Sequence, residues 1–293
     1  MVKLFINHST KDSHIMKFGI IPINVGVAAP EQIISIAQTA EAAGFESVWT
    51  FEHVMIPVDL TSKYPYNETG DLGLPAETPL FDPLVTLAAL SAHTKTINLG
   101  TGVNIVAQTN PLLLAKQVAS LDLFCGGRLL FGAGIGWLEE EFDALGVPFE
   151  RRGARFDDYM VAIKKVWSGE VVEHESDFLS WHGFKSYPLP EKKAETSIIM
   201  GGNAGKVFQR IARYGDGWFI PPMPMEELPR QLEKLRKACE EEGRDSDDIE
   251  LTAVWDPSES SDQLKALADF GISRAVSYNT GLDGIKEIGD TYI

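Results

Sequence analysis

Short apolar runs rich in β-branched and aromatic residues alternate along the chain with longer segments whose apolar positions recur every three to four residues. The short runs predict buried strands and the longer segments predict helices, an alternation typical of βα units around a parallel sheet. The predicted strands are 18–23, 47–51, 97–103, 128–134, 197–200, 217–220, 250–254 and 274–278. The predicted helices are 30–43, 82–93, 111–124, 151–168, 204–214, 225–243, 260–270 and 281–289.

These eight pairs predict an α/β protein, a (β/α)8 TIM barrel, with an open doubly wound sheet as the alternative. The length of 293 residues leaves the domain count open, since an average domain has about 150 residues but barrels of this size form single units. The strand-like pattern begins cleanly only at Lys17. We therefore expect one barrel domain over residues 17–293, preceded by a loosely attached leader over residues 1–16.

Two insertions interrupt the alternation, and we expect both as loops at the carboxyl-terminal face of the barrel. Residues 57–80 are rich in Pro, Gly, Thr and Tyr and follow the second strand. Residues 170–193 carry aromatic residues in alternation, which predicts a small hairpin lid; an aromatic cluster beneath a long loop is the alternative. His174 and His182, in this second insertion, are expected at the surface.

The charge balance bears on the partners of the protein. Lys and Arg number 26 against 42 Asp and Glu, a net charge of −16, which disfavours a nucleic acid or an anionic membrane as partner. Cys125 and Cys239 are the only cysteines, too few for a disulfide scaffold, and fit a reducing cytoplasm. The uncharged stretch 96–115 is half Thr, Asn, Gln, Gly or Pro, so no membrane span is expected.

In a barrel, reactive residues gather where the strands end at the carboxyl-terminal face. His53 follows the second strand directly after Glu52, which predicts a titratable donor at the barrel mouth; a structural histidine that caps a strand carbonyl is the alternative. The other candidates by position are Asn24, Gly102-Val103-Asn104, Gly134-Ile135-Gly136-Trp137 and Gly201-Gly202-Asn203.

Two glycine-rich segments stand out among these strand ends. Residues 197–200 run into Gly201-Gly202-Asn203 and then a helix, an order that predicts a phosphate cradle at a positive helix end, although tight packing also requires glycine. Residues 132–136 lie within and just beyond the fourth strand, so they are not a dinucleotide fingerprint. We expect these glycines to let a flat group approach the backbone.

Several familiar catalytic motifs do not occur in the sequence. It contains no His-Glu-x-x-His spacing, no Gly-x-Ser-x-Gly elbow and no Walker motif, so metal-dependent hydrolysis, acyl transfer and nucleotide triphosphate chemistry lose support. No metal site is expected.

Taken together, the motifs resemble the luciferase-like monooxygenase superfamily from about Met16 to the C-terminus. They are Phe45-Glu46-Ser47-Val48-Trp49 with His53, Leu99-Gly100-Thr101-Gly102-Val103, 128–137 with Glu141-Phe142, and Gly201-Gly202-Asn203 through Asp216-Gly217-Trp218. Within the superfamily, the Gly201–Trp218 block and the segment 184–188 are most similar to the coenzyme-F420-dependent oxidoreductases.

The resemblance implies a barrel that holds a reduced flavin or deazaflavin over its mouth, with a non-proline cis peptide at Gly102-Val103 and the family histidine at His53. The residues implied in cofactor binding are Gly102, Val103, Asn104, Gly136, Trp137, Gly201, Gly202 and Asn203. F420-dependent sugar-phosphate dehydrogenases carry a glutamate where this chain has Trp137 and a tryptophan where it has Pro57. These two departures disfavour a sugar phosphate as substrate.

The leading hypothesis is therefore an F420-dependent oxidoreductase that passes a hydride to or from a small organic molecule, with His53 as proton donor or hydrogen-bond partner. The first alternative is a monooxygenase that uses reduced FMN and O2. Less favoured are a non-catalytic flavin carrier and a phosphate-binding isomerase or aldolase. Both a monomer and a homodimer fit the sequence.

The acidic tail of F420 requires a local basic patch on so acidic a protein. The candidates are Arg151, Arg152 and Arg155 after the fourth strand and Lys185 in the predicted lid. The alternative is that the arginines pair with Glu150, Asp157 and Asp158 at the start of a solvated helix.

Overall fold

Eight parallel strands close into a barrel in the computed structural model, which describes residues 5–6, 14–258 and 261–293. The strands are β1 (Lys17–Ile21), β2 (Ser47–Thr50), β3 (Asn98–Thr101), β4 (Leu129–Gly134), β5 (Ile198–Gly201), β6 (Gly217–Ile220), β7 (Glu250–Trp255) and β8 (Arg274–Tyr278). Each strand pairs with the next, and β8 pairs with β1, so the ring is closed. The TIM barrel is confirmed and the open sheet is excluded.

The barrel helices are α1 (Pro30–Ala42), α2 (Pro83–His93), α3 (Pro111–Phe124), α4 (Arg152–Trp167), α5 (Val207–Tyr214), α6 (Leu228–Glu241), α7 (Ser261–Asp269) and α8 (Gly281–Tyr292). A short helix, Glu139–Ala144, precedes α4. The remaining strands are Phe5–Ile6, His14–Ile15, Asn104–Ile105, Val172–Glu175 and Ser180–Phe184, and the 3-10 turns are Val106–Gln108, Lys193–Glu195, Met225–Glu227 and Ser246–Asp248.

Local sequence explains where several helices begin and end. The side chain of Asp82 accepts a hydrogen bond from Val85 N at 2.8 Å, and Asn110 accepts from Leu112 N at 3.0 Å, so α2 and α3 each begin with a side-chain cap. Gly44 after α1 and Gly271 after α7 have φ of +88° and +81°. Glycine adopts this left-handed backbone without steric cost, and it ends both helices where the sequence predicts.

The indole of Trp49 fills the middle of the barrel. Its Nε1 donates to Ser47 Oγ at 2.8 Å. A Cβ atom on Gly100 would lie 2.3 Å from the indole, and one on Gly19 would lie 2.9 Å from its Nε1. Only glycine fits beside this ring, because interior atoms pack at van der Waals distance.

Arg274 organises the amino-terminal end of the barrel interior. It donates to Glu46 Oε1 and Oε2 at 2.8 Å each, to Glu250 Oε2 at 2.8 Å and to Thr252 Oγ1 at 2.9 Å. Burial raises the pKa of Glu46 and of Glu250, but Arg274, with a further contribution from Lys17, outweighs burial and holds both below their usual range. This cluster lies opposite the catalytic face of such barrels, which indicates a role in stability.

The second insertion forms the predicted hairpin, but it is not a lid over the mouth. His174 Nε2 lies 2.9 Å from Asp158 Oδ1, and Lys165 Nζ donates to Glu173 O at 2.9 Å, so the hairpin packs along α4. The insertion follows a helix that returns to the amino-terminal end of the barrel, which explains its place on the flank. Trp181 packs against Phe184 with ring centroids 5.7 Å apart, as the aromatic-cluster alternative predicts.

The two histidines of this hairpin differ in exposure. His182 is exposed, as expected. His174 is 6% exposed, so its expected surface position is wrong: the pairing with Asp158 holds it against α4.

Most of the expected leader, residues 1–4 and 7–13, lies outside the described residues. Of the rest, Phe5–Ile6 pairs antiparallel with His14–Ile15, and Met16 is buried in the core. Among the residues that the structure describes, no helix has the length and apolar character needed to cross a bilayer.

Replacing Arg274 with Met should destabilise the protein by about 3 kcal/mol, because it leaves Glu46 without its paired cation and Glu250 with Lys17 alone, and both carboxylates are partly buried. Urea unfolding measures the change. The matched control is Arg236→Met on α6, where the arginine is exposed and pairs with Glu233; its unfolding midpoint should stay close to that of the wild type. Similar losses in both variants would contradict a stabilising role for the Arg274 cluster.

Candidate active site

After β3 the chain turns towards the barrel interior over residues 102–108, which we call the inward segment. The side chain of Val103, within this segment, packs against the glycines of β4 and β5. The Gly102-Val103 peptide is cis, as the resemblance implies. A Cβ atom on Gly134 would lie 2.6 Å from Val103 Cγ2, and one on Gly201 would lie 2.9 Å from Val103 Cγ1. A Cβ atom on Gly132 would lie 1.8 Å from the carbonyl oxygen of Thr101.

These contacts correct the interpretation of the fourth-strand glycines. Gly132 and Gly134 do not admit a flat ligand to the backbone, because the protein's own Thr101-Val103 segment fills that space. Gly136 has φ of +80°, and its missing side chain makes room for Ile105. The need for tight packing therefore explains these glycines.

Glu52 holds the inward segment in place. Its Oε2 accepts from Asn104 Nδ2 at 2.9 Å and from the backbone N of Ile105. Burial, together with the smaller effect of the nearby carboxylates of Glu141 and Asp82, raises the pKa of Glu52 to about 7 against these hydrogen bonds. The group is poised between its protonated and ionised forms near neutral pH.

Asn24, a candidate by position, is a structural clamp. Its Nδ2 donates to Phe51 O at 2.8 Å and to Phe81 O at 2.6 Å, and its Oδ1 accepts from Phe51 N at 2.9 Å. The side chain is fully buried. It joins the ends of β1 and β2 to the start of α2.

His53 lies at the mouth, as predicted. Its Nδ1 is 3.2 Å from Glu141 Oε2, and the imidazole meets the ring of Trp137 edge-on with centroids 5.7 Å apart. The imidazole is thus paired with a carboxylate, and not with a strand carbonyl as the alternative of a structural histidine predicts. The side chain of His53 is 11% exposed.

The first insertion, residues 57–80, covers the barrel mouth, a role that the sequence predicts for the second insertion, residues 170–193. Tyr64 packs edge-on against Trp137 at 5.3 Å and against Tyr66 at 5.4 Å between ring centroids. The hydroxyl of Tyr66 comes 3.7 Å from the point a Cβ atom would occupy on Gly202. The rings of His53, Trp137, Tyr64 and Tyr66 therefore form an aromatic wall that reaches Gly202. Burial raises the pKa of Tyr64 to about 12, so its hydroxyl stays protonated.

The short helix Glu139–Ala144 fastens this cover. Glu140 Oε1 accepts from Thr61 N at 2.7 Å and from Ser62 N at 2.9 Å. These residues also outweigh burial and lower the pKa of Glu140 below its usual range. Glu141, the next residue, accepts from Val54 N and faces His53. Two successive carboxylates thus bind two parts of one loop.

The turn after β5 is arranged differently from the predicted cradle. α5 begins at Val207 rather than at 204, so three residues separate Asn203 from the helix start. Gly202 has φ of +112°, and its carbonyl accepts from Trp218 Nε1 at 2.7 Å. The turn places Gly202 and Asn203, both half-buried, beside the aromatic wall.

The predicted basic patch is largely engaged in structural contacts. Arg155 is buried and its Nε donates to Ala107 O at 2.9 Å; Arg152 Nε donates to Gly136 O at 3.0 Å. Arg151 pairs with Asp177 at 2.6 Å. Two of the alternative partners were also wrong, since Asp157 pairs with Arg210 and Asp158 with His174. Arg155 does contact Glu150, but by donating to its backbone carbonyl at 3.4 Å.

Lys185 lines an open groove of about 590 Å³ between the first turns of α3 and the hairpin. The other residues of this groove are Asn110, Leu112, Leu113, Lys116, Phe184 and Ser186.

Sequence reasoning did not assign roles to Glu52, Glu141, Tyr64 and Tyr66. In the sequence, Glu52 stands out only as a neighbour of His53, and Glu141 only as part of a motif. Both tyrosines lie in a loop that follows a barrel strand, the general position of functional loops, and this signal was available.

The sequence is related to proteins of known family. The family model of luciferase-like monooxygenases matches residues 13–285. An uncharacterised protein of Mycobacterium bovis is 30% identical over 242 residues, which cover 82% of this chain and 84% of that protein. A 5,10-methylenetetrahydromethanopterin reductase of Methanolobus tindarius is 26% identical over 235 residues, covering 80% of this chain but 64% of the reductase.

A shorter match and two solved structures complete this picture. An FMNH2-dependent dimethylsulfone monooxygenase of Pseudomonas putida is 28% identical over 130 residues, 43% of this chain and 36% of that enzyme. An F420-dependent secondary alcohol dehydrogenase superposes with a TM-score of 0.76 at 15% identity, covering 94% of this chain and 97% of that one. The F420-dependent tetrahydromethanopterin reductase of Methanopyrus kandleri gives 0.71 at 15% identity over 94% and 98%. At these identities the two structures show the fold alone.

The family model covers nearly the whole chain, and the relative at 30% identity is matched over more than two thirds of its length. The chain therefore belongs to the luciferase-like monooxygenase family.

Proposed function

We propose that this oxidoreductase uses coenzyme F420 to transfer a hydride to or from a small organic substrate. The observation that carries the proposal is the mouth itself: the inward Gly102-Val103 segment and a histidine with a carboxylate partner both follow strand ends at the same face of the barrel, and aromatic rings cover the histidine. Support for F420 comes from the resemblance of the Gly201–Trp218 block and of the segment 184–188 to the coenzyme-F420-dependent oxidoreductases. The relative named for FMNH2 matches 43% of this chain.

Unsatisfied polar groups in the inward segment fit a polar ligand. Asn104 is 3% exposed and Gln108 is 5% exposed. Among the described residues, none is hydrogen-bonded to Asn104 Oδ1 or to either amide atom of Gln108. A buried polar group without a partner costs about 1–3 kcal/mol, so such atoms normally have a ligand or water as partner.

The residues we assign to the cofactor are the eight that the resemblance implies. They are Gly102, Val103 and Asn104 for the ring, Gly136 and Trp137 beside it, and Gly201, Gly202 and Asn203 for the phosphate. When bound, a reduced deazaflavin or flavin supplies the hydride. The chain supplies orientation and the exclusion of water, and Trp137, Tyr64 and Tyr66 provide most of the apolar cover.

His53 is the residue that we assign to the proton. Hydride delivery leaves negative charge on the substrate that must take up a proton, and the reverse direction releases one. The imidazole is held by Glu141 at Nδ1, so Nε2 is the nitrogen that exchanges this proton. Glu52 fixes the inward segment beside it.

A reduced-FMN monooxygenase that uses O2 is the second candidate function. The partial relative from Pseudomonas putida favours it, and the same residues would hold FMN. We also propose a cytoplasmic location. Light scattering would show whether the protein is a monomer or a homodimer.

Replacing Gly202 with Glu should weaken binding of F420 about 100-fold or more, because the new carboxylate meets the cofactor's phosphate. Fluorescence titration measures the dissociation constant. The control is Gly243→Glu, a left-handed glycine with φ of +69° between α6 and β7, remote from the mouth. Unchanged affinity in Gly202→Glu would remove the turn from the proposed site.

His53→Ala should lower turnover about 10²-fold while the fold stays intact, because the proton then has to come from water. Steady-state kinetics between pH 5 and pH 8 measure the loss. His182→Ala, at an exposed position of the hairpin, is the control and should match the wild type. Wild-type turnover in His53→Ala across this range would show that the histidine is structural.

Glu52 predicts a pH dependence of stability. Its pKa rises from 4.5 to about 7 on folding, so its stability contribution is complete below pH 4.5 and is lost as pH rises through 7. Glu52→Gln, which stays neutral and still accepts from Ile105 N, should match the wild type near pH 4.5. It should exceed the wild type by on the order of 1–3 kcal/mol at pH 8. Denaturant unfolding at both pH values measures this, and a constant difference between the two proteins would contradict it.

A further inference from the structure

The carboxylate of Glu141 lies behind His53, on the side of the ring that carries Nδ1. Its Oε2 is 3.2 Å from Nδ1, and its Oε1 accepts from the backbone N of Val54. The side chain is 2% exposed, so little water reaches either oxygen. One carboxylate thus binds the ring of one residue and the backbone of the next.

These contacts determine where the imidazole carries its proton. The backbone N–H of Val54 can only donate, and an ionised carboxylate can only accept. Nδ1 must therefore be the donor towards Glu141, which leaves Nε2 at the opposite edge of the ring. Which nitrogen bears the hydrogen is thus a consequence of the contacts of Glu141.

The surroundings of the ring favour a single orientation. Trp137 meets the imidazole edge-on at 5.7 Å, and the side chain of His53 is 11% exposed. The carboxylate of Glu52, the preceding residue in sequence, is engaged by Asn104 and Ile105. A half-turn of the ring would place Nε2 towards Glu141 and would break the present hydrogen bond.

We propose that Glu141 is the positioning residue of this site: it holds His53 in the Nδ1–H tautomer and leaves Nε2 to exchange the proton. The catalytic part of this inference rests on the function proposed above. The tautomer itself is a property of the protein without cofactor or substrate.

Glu141→Gln should invert the tautomer. The N–H of Val54 still requires an acceptor, which turns the new amide oxygen towards it. The amide NH2 then faces Nδ1, so Nδ1 must accept and the proton moves to Nε2. A carboxylate-to-amide change at an orienting residue can cost about 10⁴-fold in turnover through the wrong tautomer.

The test uses the cofactor-free protein with 15N-labelled histidine, observed by long-range 1H–15N NMR at alkaline pH, where the imidazole is neutral. The signals of His53 are assigned by their loss in His53→Ala. We expect Nδ1–H in the wild type and Nε2–H in Glu141→Gln. In the loaded enzyme, Glu141→Gln should lower kcat about 10²-fold or more and leave KM close to the wild type.

Two further variants separate this role from a structural one. Glu140→Gln, on the same helix, weakens the anchoring of Thr61 and Ser62 and should leave the tautomer unchanged. Glu141→Asp keeps a carboxylate and should keep Nδ1–H, so it tests the proposal if Glu141→Gln fails to fold.

A wild-type His53 protonated at Nε2, a Glu141→Gln protein that keeps Nδ1–H, or a Glu141→Asp protein that carries Nε2–H would each overturn the proposal. The failure of the proposed function gives a different result. In that case His53→Ala would retain turnover, although the tautomer would still invert in Glu141→Gln.

Discussion

The packing of Val103 against strands that lack side chains at that level determines the shape of the barrel mouth. Gly134 and Gly201 face the two methyl groups of Val103, and Gly132 faces the carbonyl of Thr101. Because the inward segment fits there, Asn104 can pair with Ala133 of β4, and Glu52 can bind Asn104 and Ile105. The surface offered to a cofactor is thus built by the protein's own packing.

Charged side chains are paired differently at the two ends of the barrel interior. At the amino-terminal end, Arg274 is shared by Glu46 and Glu250 in a fully paired cluster. At the mouth, Glu52 has its pKa raised to about 7 by burial, and the buried amide of Gln108 has no partner among the described residues. In the paired cluster the pKa values of the carboxylates are lowered, so both stay ionised. A carboxyl pKa raised towards neutrality and unpaired buried polar atoms are typical of sites that bind and react.

Local periodicity was enough to predict the barrel. Each predicted strand and helix corresponds to one in the structure, since a buried strand and an amphipathic helix leave different patterns in sequence. The position of His53 followed from the end of β2, and the cis peptide at Gly102-Val103 followed from the resemblance. Contacts between distant segments could not be predicted in this way. Glu141 lies 88 residues from His53, and the hairpin's docking on α4 depends on the pairing of His174 with Asp158.

We propose that this mouth binds coenzyme F420, and direct titration of the purified protein with F420 and with FMN tests the proposal. Changes in cofactor fluorescence give both dissociation constants under the same conditions. The account predicts saturable binding of F420 in the low micromolar range or tighter, with weaker binding of FMN. Tighter binding of FMN would favour the monooxygenase alternative, and the absence of binding by either cofactor would contradict the account.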